Sequence, residues 1–429
     1  MRIISQTMLF KRFLPAIDSV AQGHESIDVL EWNFAMFMDF VTAYLFGLGN
    51  GSNFLQDLEY RKHWLAIYND RNANNFVPQE LWKSILHTFG TKVVPEKTIA
   101  ANKEIEEWVL RMCQAAESIR MSDVRRGTSP VVYRQLFQSL TKAELDPWSK
   151  YPKDLTVASE MLDHLAAGHE TSAITLTYLM HEISKRPEMQ DALRAELLTL
   201  SPPVIYPSAF GPDPMRVPNP RSIDSLPLLQ AILLETLRRH AAIPGPQPRI
   251  TPFNQSTPAK LGQYSNIPGG VRVSALAYTL HRNPEVFPDP EEWKPERWLD
   301  ASEEQRAEMD RWFWAFGSGG RMCIGKNLAL LRMSYSKSPH ISLQSSAPLT
   351  DASVGKKLWK SLTKRCRIEL NLVIAAIYTN FRTEIINDTG IEQEDSYTAR
   401  PVGNKLVLKF ERVNNVEQSQ TDRLEVVRE

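Results

Sequence analysis

The sequence contains few cysteines. Three occur in 429 residues, Cys113, Cys323 and Cys366, and they lie far apart. An odd number of widely spaced cysteines argues against a disulfide framework and indicates a reducing compartment. No C-x-x-C pair is present, so the sequence indicates neither a zinc site nor an iron–sulfur cluster.

An excess of charge of one sign is also missing. Lys plus Arg number 50, and Asp plus Glu number 50. No net charge therefore favours nucleic acid or an anionic membrane as a partner, and the sequence has no nucleic-acid motif and no internal repeat. The 429 residues can bury a sizeable core, and length and composition together agree with a large intracellular enzyme.

Long hydrophobic runs are absent as well. The best candidate, residues 41–56, is interrupted by Gly and Asn and is shorter than the roughly 20 apolar residues of a spanning helix. The first residues lead into Lys11 and Arg12 without the apolar stretch of a secretory signal. The sequence therefore predicts no transmembrane anchor and no secretory leader.

Helical periodicity is what the sequence has in abundance. It predicts helices over residues 27–46, 78–89, 94–118, 155–185, 188–200 and 226–240. Alternating patterns predict strands at residues 270–277 and 405–410, and seven prolines predict a surface loop over residues 201–220. Long helices with a few short strands indicate an α-dominated α+β fold.

The surroundings of Cys323 are the most informative feature of the chain. It lies in the stretch Phe-Gly-Ser-Gly-Gly-Arg-Met-Cys-Ile-Gly, residues 316–325, just before an apolar run. A thiolate at a helix N-terminus is stabilised by the helix dipole, and glycines let a loop pass close to a flat, bulky group. Arg321 could pair with a carboxylate of the same group. The alternative is a buried cysteine in a glycine-rich turn.

A second motif, Ala-Gly-His-Glu-Thr-Ser at residues 167–172, lies inside the predicted helix 155–185. Gly168 costs about 1 kcal/mol relative to alanine there, which predicts that something approaches the helix backbone closely. Glu170 and Thr171 could deliver protons. The alternative is a kinked, buried helix whose polar groups are satisfied, and we expect His169 to be a packing residue and not a ligand.

Two further patterns involve arginines. Glu235 and Arg238 share one face of the apolar helix 226–240, and a buried pair needs further partners, such as Arg297, to offset its desolvation. Arg249 follows several prolines that stiffen an extended strand. The alternatives are an ordinary surface pair for the first pattern and a surface arginine in a turn for the second.

Together these motifs resemble those of the cytochromes P450, of the microsomal type found in fungi. The cysteine-loop pattern of that family is Phe-x-x-Gly-x-Arg-x-Cys-x-Gly, and all five fixed positions match. The resemblance implies a cytochrome P450-like fold and bound haem b (iron protoporphyrin IX). The implied site residues are Cys323 as axial iron ligand, Phe316 and Gly168 beside the haem, Arg321 and Arg249 at its propionates, Glu170 and Thr171 in proton delivery, and the structural triad Glu235, Arg238 and Arg297.

The resemblance also implies an activity and partners. The family inserts one atom of O2 into an apolar small organic molecule, in fungi often in secondary-metabolite biosynthesis. Electrons are expected from NADPH-cytochrome P450 reductase, because the chain has no flavin- or nicotinamide-binding motif. The family usually resides on the cytosolic face of the endoplasmic reticulum membrane. Because no anchor is predicted here, a cytoplasmic or peripheral location is expected.

The chain departs from the family pattern in two places. Residues 1–7 are similar to the end of the family's third long helix and the loop after it. The single cytochrome P450-like domain, residues 1–429, is therefore expected to lack the first sheet strands and helices. Residues 334–368 contain eight serines and no regular period. They are predicted to be an irregular insertion, such as translated intron, between two segments that the family joins directly.

Two alternative functions stay open. One is a haem-thiolate enzyme that rearranges or dehydrates its substrate without a reductase, against which the Glu170–Thr171 pair argues. The other is a truncated product that holds no haem and has no catalytic activity, which the two departures would explain. Turnover with and without reductase separates the first alternative from a monooxygenase, and haem binding decides the second.

Overall fold

The computed structural model describes residues 2–71, 95–121, 128–143, 152–207, 216–253, 258–323, 325 and 369–413. Contacts between residues divide the chain into two compact units. The first contains the described parts of residues 1–17 and 34–169, and the second those of residues 18–33, 170–336 and 367–413. The single domain expected from the sequence stays a prediction.

Helices dominate both units. In chain order, α1 to α14 are Arg2–Thr7, Leu14–Gln22, Val29–Phe46, Leu58–Arg71, Glu96–Met121, Val131–Ala143, Lys153–Ser184, Pro187–Leu198, Pro220–Asp224, Pro227–Arg239, Ala277–Leu280, Glu296–Leu299, Glu303–Trp312 and Glu369–Asn380. A π-helical segment, Met8–Phe13, joins α1 to α2, and a single 3₁₀ turn spans Gly319–Arg321. The predicted α-dominated α+β class is confirmed.

The strands form three small antiparallel sheets within the described ranges. In chain order, β1 to β7 are Ser26–Asp28, Pro246–Ile250, Ala259–Leu261, Tyr264–Ile267, Arg272–Leu276, Phe381–Asn387 and Val407–Arg412. One sheet has the order β1-β7-β6, and the others pair β2 with β5 and β3 with β4. In the β2–β5 pair, Arg249 lies opposite Val273.

The core of the second unit contains helix α10. Pro227 occupies its first turn, where a missing N–H costs no hydrogen bond. The residues from Ala231 to Arg238 are all buried, including Glu235 and Arg238. Helix α13 begins with a capping box, in which Ser302 and Gln305 satisfy each other's backbone N–H groups. These two helices place the buried cluster and the cysteine loop described below.

Helix α3 runs through the core of the first unit from Phe34 onward. The one acid in this part of the helix, Asp39, is fully buried. The carboxylate accepts hydrogen bonds from the Phe54 N–H at 2.7 Å, the Leu55 N–H at 3.1 Å and the Ser52 hydroxyl at 2.7 Å. Burial raises the pKa of Asp39, and these donors oppose the rise. A buried acid is thus tolerated because its oxygens are satisfied.

Most helices predicted from periodicity are present within a few residues of the expected bounds. The predicted segments 27–46, 94–118, 155–185, 188–200 and 226–240 correspond to α3, α5, α7, α8 and α10. Residues 2–22 are helical throughout, whereas the sequence predicted a loop near residue 7. The predicted helix 78–89 and the segment 334–368 lie outside the described residues. Within the described parts of the chain, no helix is both long and apolar enough to span a bilayer.

Candidate functional site

The cysteine loop begins where α13 ends at Trp312. Gly317 and Gly319 have φ angles of +64° and +72°, in the region that favours glycine. The Gly317 N–H donates to the Trp314 carbonyl at 2.9 Å, and the Cys323 N–H donates to the Phe316 carbonyl at 2.8 Å. These two bonds close the loop on itself and fix the backbone that carries the cysteine.

The side chains of the loop are arranged around an exposed sulfur. Cys323 and Arg321 are exposed, and Phe316 is half-buried against Phe313, with ring centroids 6.5 Å apart. A side chain built at Gly325 would lie 3.6 Å from the Cys323 sulfur. The helix predicted to follow the cysteine lies outside the described residues, so the predicted dipole at the thiol stays a prediction.

Strand β2 lies against the same loop. The Gln247 side-chain oxygen comes within 2.5 Å of where a Cβ at Gly317 would be, so any other residue there would have to displace the end of the Gln247 side chain as well as adopt the positive φ. One Arg249 nitrogen donates to its neighbouring Pro248 carbonyl at 2.9 Å, and the other lies 3.5 Å from the Ser318 carbonyl, at the limit of a hydrogen bond. The exposed Arg249 guanidinium is thus placed beside the cysteine loop.

A buried ionic cluster lies on α10. Both Glu235 and Arg238 are fully buried, and the Arg238 guanidinium binds both carboxylate oxygens, at 2.7 and 2.9 Å. Arg238 also donates to the carbonyls of His281, Pro290 and Glu292, at 3.0, 2.7 and 2.8 Å. A buried guanidinium is costly unless its donors are used, and these bonds satisfy it.

Arg297 completes this cluster from α12. Its Nε donates to Glu235 at 3.0 Å, and its other nitrogens donate to the Pro288 and Asp289 carbonyls at 2.7 and 3.2 Å. The Trp298 indole N–H and the Lys294 backbone N–H also donate to Glu235, at 2.8 and 2.9 Å. Both arginines predicted for the triad therefore bind Glu235, and the cluster ties α10 to the chain between residues 281 and 298.

Gly168 and His169 lie in the first unit. A Cβ at Gly168 would come within 2.9 Å of the Val41 side chain of α3. The close neighbour shown for this glycine is therefore another helix, whereas the sequence predicted a cofactor at this place. His169 is fully buried, and its ring packs against Tyr68 and Trp64 at centroid distances of 4.8 and 5.6 Å, as a packing residue would.

Glu170 and Thr171 lie in the second unit, one residue further along α7. Glu170 is buried, and one of its carboxylate oxygens accepts from Arg400 Nη2 and Nε at 2.6 and 3.0 Å and from the Thr398 hydroxyl at 2.8 Å. Thr171 is half-buried, and its carbonyl accepts from the Thr175 hydroxyl at 2.8 Å. The carboxylate predicted to deliver protons is thus engaged in an ion pair.

Three residues that contact the predicted site residues were given no role from the sequence. Arg400 and Thr398 lie about 230 residues beyond the acid that they bind, and no local pattern marks them. His281 links Arg238 to the start of the cysteine loop, through bonds of 2.9 Å to the Arg238 carbonyl and 2.8 Å from the Trp314 N–H. The available signal was its place in the stretch His-Arg-Asn-Pro.

The donor set around the loop fits a haem group. An exposed thiol can supply a thiolate to iron, and the exposed Arg249 and Arg321 guanidinium groups can bind carboxylates. Among the described residues, no atom lies within 4 Å of where a Cβ at Gly319 would be, so no described neighbour covers the loop at that point. The second unit therefore presents one soft ligand and two cations at the same loop.

Comparisons with known proteins agree with this chemistry. The family model described as "Cytochrome P450" matches residues 8–336. The chain is 27% identical over 340 residues to "Cytochrome P450 monooxygenase avaI" of Aspergillus versicolor, covering 76% of this chain and 71% of that protein. It is 38% identical over 170 residues to "Cytochrome P450 monooxygenase orf2" of Aspergillus niger, covering 40% of this chain.

The coverage of the relatives is uneven. The chain matches 30% of the length of the orf2 protein and 36% of a second Aspergillus niger relative, "Cytochrome P450 monooxygenase azaI", so it spans about a third of each. In three dimensions it resembles the crystal structure of a cytochrome P450 (CYP102L1). The TM-score is 0.61 at 20% identity, covering 96% of this chain and 77% of that one. That likeness confirms the predicted fold.

Proposed function

The chain belongs to the cytochrome P450 family, and from this we propose that it is a haem-thiolate monooxygenase. It inserts one atom of O2 into an apolar small organic substrate and belongs to fungal secondary-metabolite biosynthesis. The relatives reported above are fungal proteins named as cytochrome P450 monooxygenases, which supports the reaction class and the setting.

One observation carries the proposal. Cys323 presents an exposed sulfur on a loop whose backbone is closed by its own hydrogen bonds. Through Trp314 and His281 this loop is bonded to Arg238 of the buried cluster. A ligand that must hold one metal in one geometry requires such a rigid base, because a mobile ligand would lose affinity and control.

In this proposal, residues of the second unit make different contacts with the haem. The Cys323 thiolate would bind the haem iron, Arg249 and Arg321 would bind the carboxylates of the group, and Phe316 would pack beside it. The place beside the haem that the family resemblance implies for Gly168, whose described neighbour is Val41, stays a prediction. When bound, the haem supplies the activation of dioxygen, which amino-acid side chains cannot perform.

Glu170 and Thr171 have different tasks in this proposal. The Thr171 hydroxyl holds a proton at its Oγ1 and passes it inward, and the residue as a whole is half-buried. Glu170 takes up a proton from solvent at its carboxylate and passes it on to that hydroxyl, while Arg400 and Thr398 hold the carboxylate in place. Positioned acid–base groups of this kind typically contribute about a hundredfold or more in rate.

The proposed partner is NADPH-cytochrome P450 reductase, at the cytosolic face of the endoplasmic reticulum. It delivers two electrons, one at a time, while the substrate receives one oxygen atom and the other leaves as water.

The test is isotopic. The haem-loaded full chain is incubated with reductase, NADPH, isotopically labelled dioxygen and a panel of apolar fungal metabolites. The proposal expects a product that carries one labelled oxygen and forms only with reductase present. A product that forms equally without reductase, and without label, would instead establish the rearranging or dehydrating enzyme.

A further inference from the structure

We infer that His281 is a positioning residue for the cysteine loop, because its imidazole ties the buried cluster to the peptide at which the loop begins. The inference rests on the proposed function only in that the loop is taken to be the ligand loop. Sequence reasoning gave His281 no role.

The two hydrogen bonds of His281 define its protonation. Its Nδ1 lies 2.9 Å from the Arg238 carbonyl oxygen, and its Nε2 lies 2.8 Å from the Trp314 backbone nitrogen. A carbonyl only accepts and a backbone N–H only donates, so Nδ1 carries the proton and Nε2 offers its lone pair. The ring must therefore be neutral for both bonds to exist.

Burial keeps the ring neutral. His281 is fully buried, and desolvation lowers its pKa to about 3, with the nearby Arg238 and Arg282 charges acting in the same direction. At neutral pH the Nε2 atom is consequently always an acceptor. A charged imidazole would turn it into a donor facing another donor, the Trp314 N–H.

The orientation of the ring is fixed as well. His281 stacks on Phe313, with centroids 5.3 Å apart and planes at 17°, and meets the edge of Phe287 at 6.4 Å. The Arg238 guanidinium donates a hydrogen bond to the His281 carbonyl at 3.0 Å, so two hydrogen bonds join these residues. Neither the ring nor its backbone can turn without breaking several contacts.

A series of hydrogen bonds connects His281 to Cys323. The Trp314 peptide is held at its N–H by His281, and its carbonyl accepts from the Gly317 N–H at 2.9 Å. The Phe316 carbonyl, in the middle of that turn, accepts from the Cys323 N–H at 2.8 Å. The position of the sulfur-bearing residue therefore depends on the place where Trp314 is held.

Two variants of His281 separate the effect of its hydrogen bonds from the effect of its ring. His281→Phe keeps an aromatic ring to stack on Phe313 but loses both hydrogen bonds. His281→Gln loses the ring but keeps one donor and one acceptor. His240→Phe is the matched control, since His240 is a half-buried histidine at the C-terminal end of α10, the helix that carries Arg238. It stacks on Tyr178 at 4.6 Å and bonds to Glu182 at 2.9 Å.

The first measurement is amide hydrogen exchange in the haem-free full chain, read for peptides covering residues 313–323 and 370–380. In His281→Phe we expect exchange of residues 313–323 to accelerate about tenfold, the factor that the loss of one net hydrogen bond gives. Residues 370–380 should be unchanged. His281→Gln should restore part of the protection, and His240→Phe should match the wild type at residues 313–323.

The second measurement is the rate at which haem leaves each protein for apomyoglobin. His281→Phe should release haem about tenfold faster than the wild type, with His281→Gln between them. If residues 313–323 exchange at the wild-type rate in His281→Phe, or if all peptides accelerate equally, the inference is overturned. If no protein binds haem but the exchange pattern holds, the proposed function fails and the role of His281 stands.

Discussion

Glu235 and Arg238, one turn apart on α10, share two hydrogen bonds of 2.7 and 2.9 Å, and neither side chain is exposed to solvent. Each carboxylate oxygen has further donors, and the guanidinium has three further acceptors. An ion pair in such surroundings is a fixed part of the core, because water cannot replace either partner.

Removing Arg238 should therefore be costly. Arg238→Ala leaves the Glu235 charge buried without its main partner, and we expect the free energy of unfolding to fall by about 3–5 kcal/mol. That is a large share of the roughly 5–15 kcal/mol by which a typical domain is stable. Chemical denaturation followed by circular dichroism measures the change.

The surface pair Arg311–Glu308 provides a matched control. It has the same residue types three positions apart at 3.1 Å, but its side chains are 73% and 40% exposed. Arg311→Ala should cost about 1 kcal/mol or less, because solvent screens an exposed pair. Equal losses from the two substitutions would show that the cluster on α10 contributes no more than a surface contact.

Thr171 should affect the coupling of electron use to product. Thr171→Ala should keep haem and substrate binding but divert reducing equivalents to peroxide, because protons no longer arrive at the right place. Product yield per NADPH consumed is then expected to fall by about a hundredfold. Thr177→Ala, two turns further along α7, removes a hydroxyl that bonds to Ala173 at 2.8 Å and should leave the yield unchanged. An unchanged yield in Thr171→Ala would remove Thr171 from proton delivery.

The stability of the protein should depend on pH through His281. In the folded chain its pKa is about 3, against an ordinary value of 6.5. Below pH 6.5 the unfolded chain takes up a proton that the folded chain does not, so stability falls as pH drops towards 3. The slope is at most about 1.4 kcal/mol per pH unit.

His281→Gln removes this titration and leaves the other groups in place. Between pH 6.5 and pH 5 the wild type should lose about 2 kcal/mol more than His281→Gln, measured by urea denaturation at both pH values. Parallel losses in the two proteins would mean that His281 is charged in the folded state as readily as in the unfolded chain.

Residues 334–368 give a prediction that rests on sequence alone. If they are an insertion, their removal joins residue 333 to Glu369, the first residue of α14, in one helical phase, and helix formation is cooperative. Deletion should raise both the melting temperature and the haem-to-protein ratio. Replacement by a glycine–serine stretch of equal length should change neither. Losses on deletion would make the segment a native part of the fold.

Local sequence patterns were sufficient to predict most of the helices and the pairing of Glu235 with Arg238. Helices α3, α7 and α10 have long apolar periods, and Glu235 and Arg238 are close in sequence, so their shared face follows from helix geometry. The participation of Arg297 followed from the resemblance to the family and not from spacing. The cysteine loop was recognisable because its fixed positions lie within ten residues.

Contacts between distant residues could not be predicted. The pairing of Glu170 with Arg400 joins α7 to a segment near the end of the described chain, and neither residue has a local signal of the other. The glycine at position 168 was correctly taken to need a close neighbour, but a single sequence does not say which element comes near. The structure shows Val41 of α3 there.

The measurement that tests the central claim most directly is the absorption spectrum of the reduced, carbon-monoxide-bound full chain. We expect the long-wavelength Soret band of a thiolate-ligated haem. Cys323→Ser should abolish this band, while Cys113→Ser, which removes a buried thiol whose pKa burial raises to about 12, should leave it intact. A thiolate-type band that survives in Cys323→Ser, or its absence from the haem-loaded wild type, would contradict the assignment of Cys323 as the iron ligand.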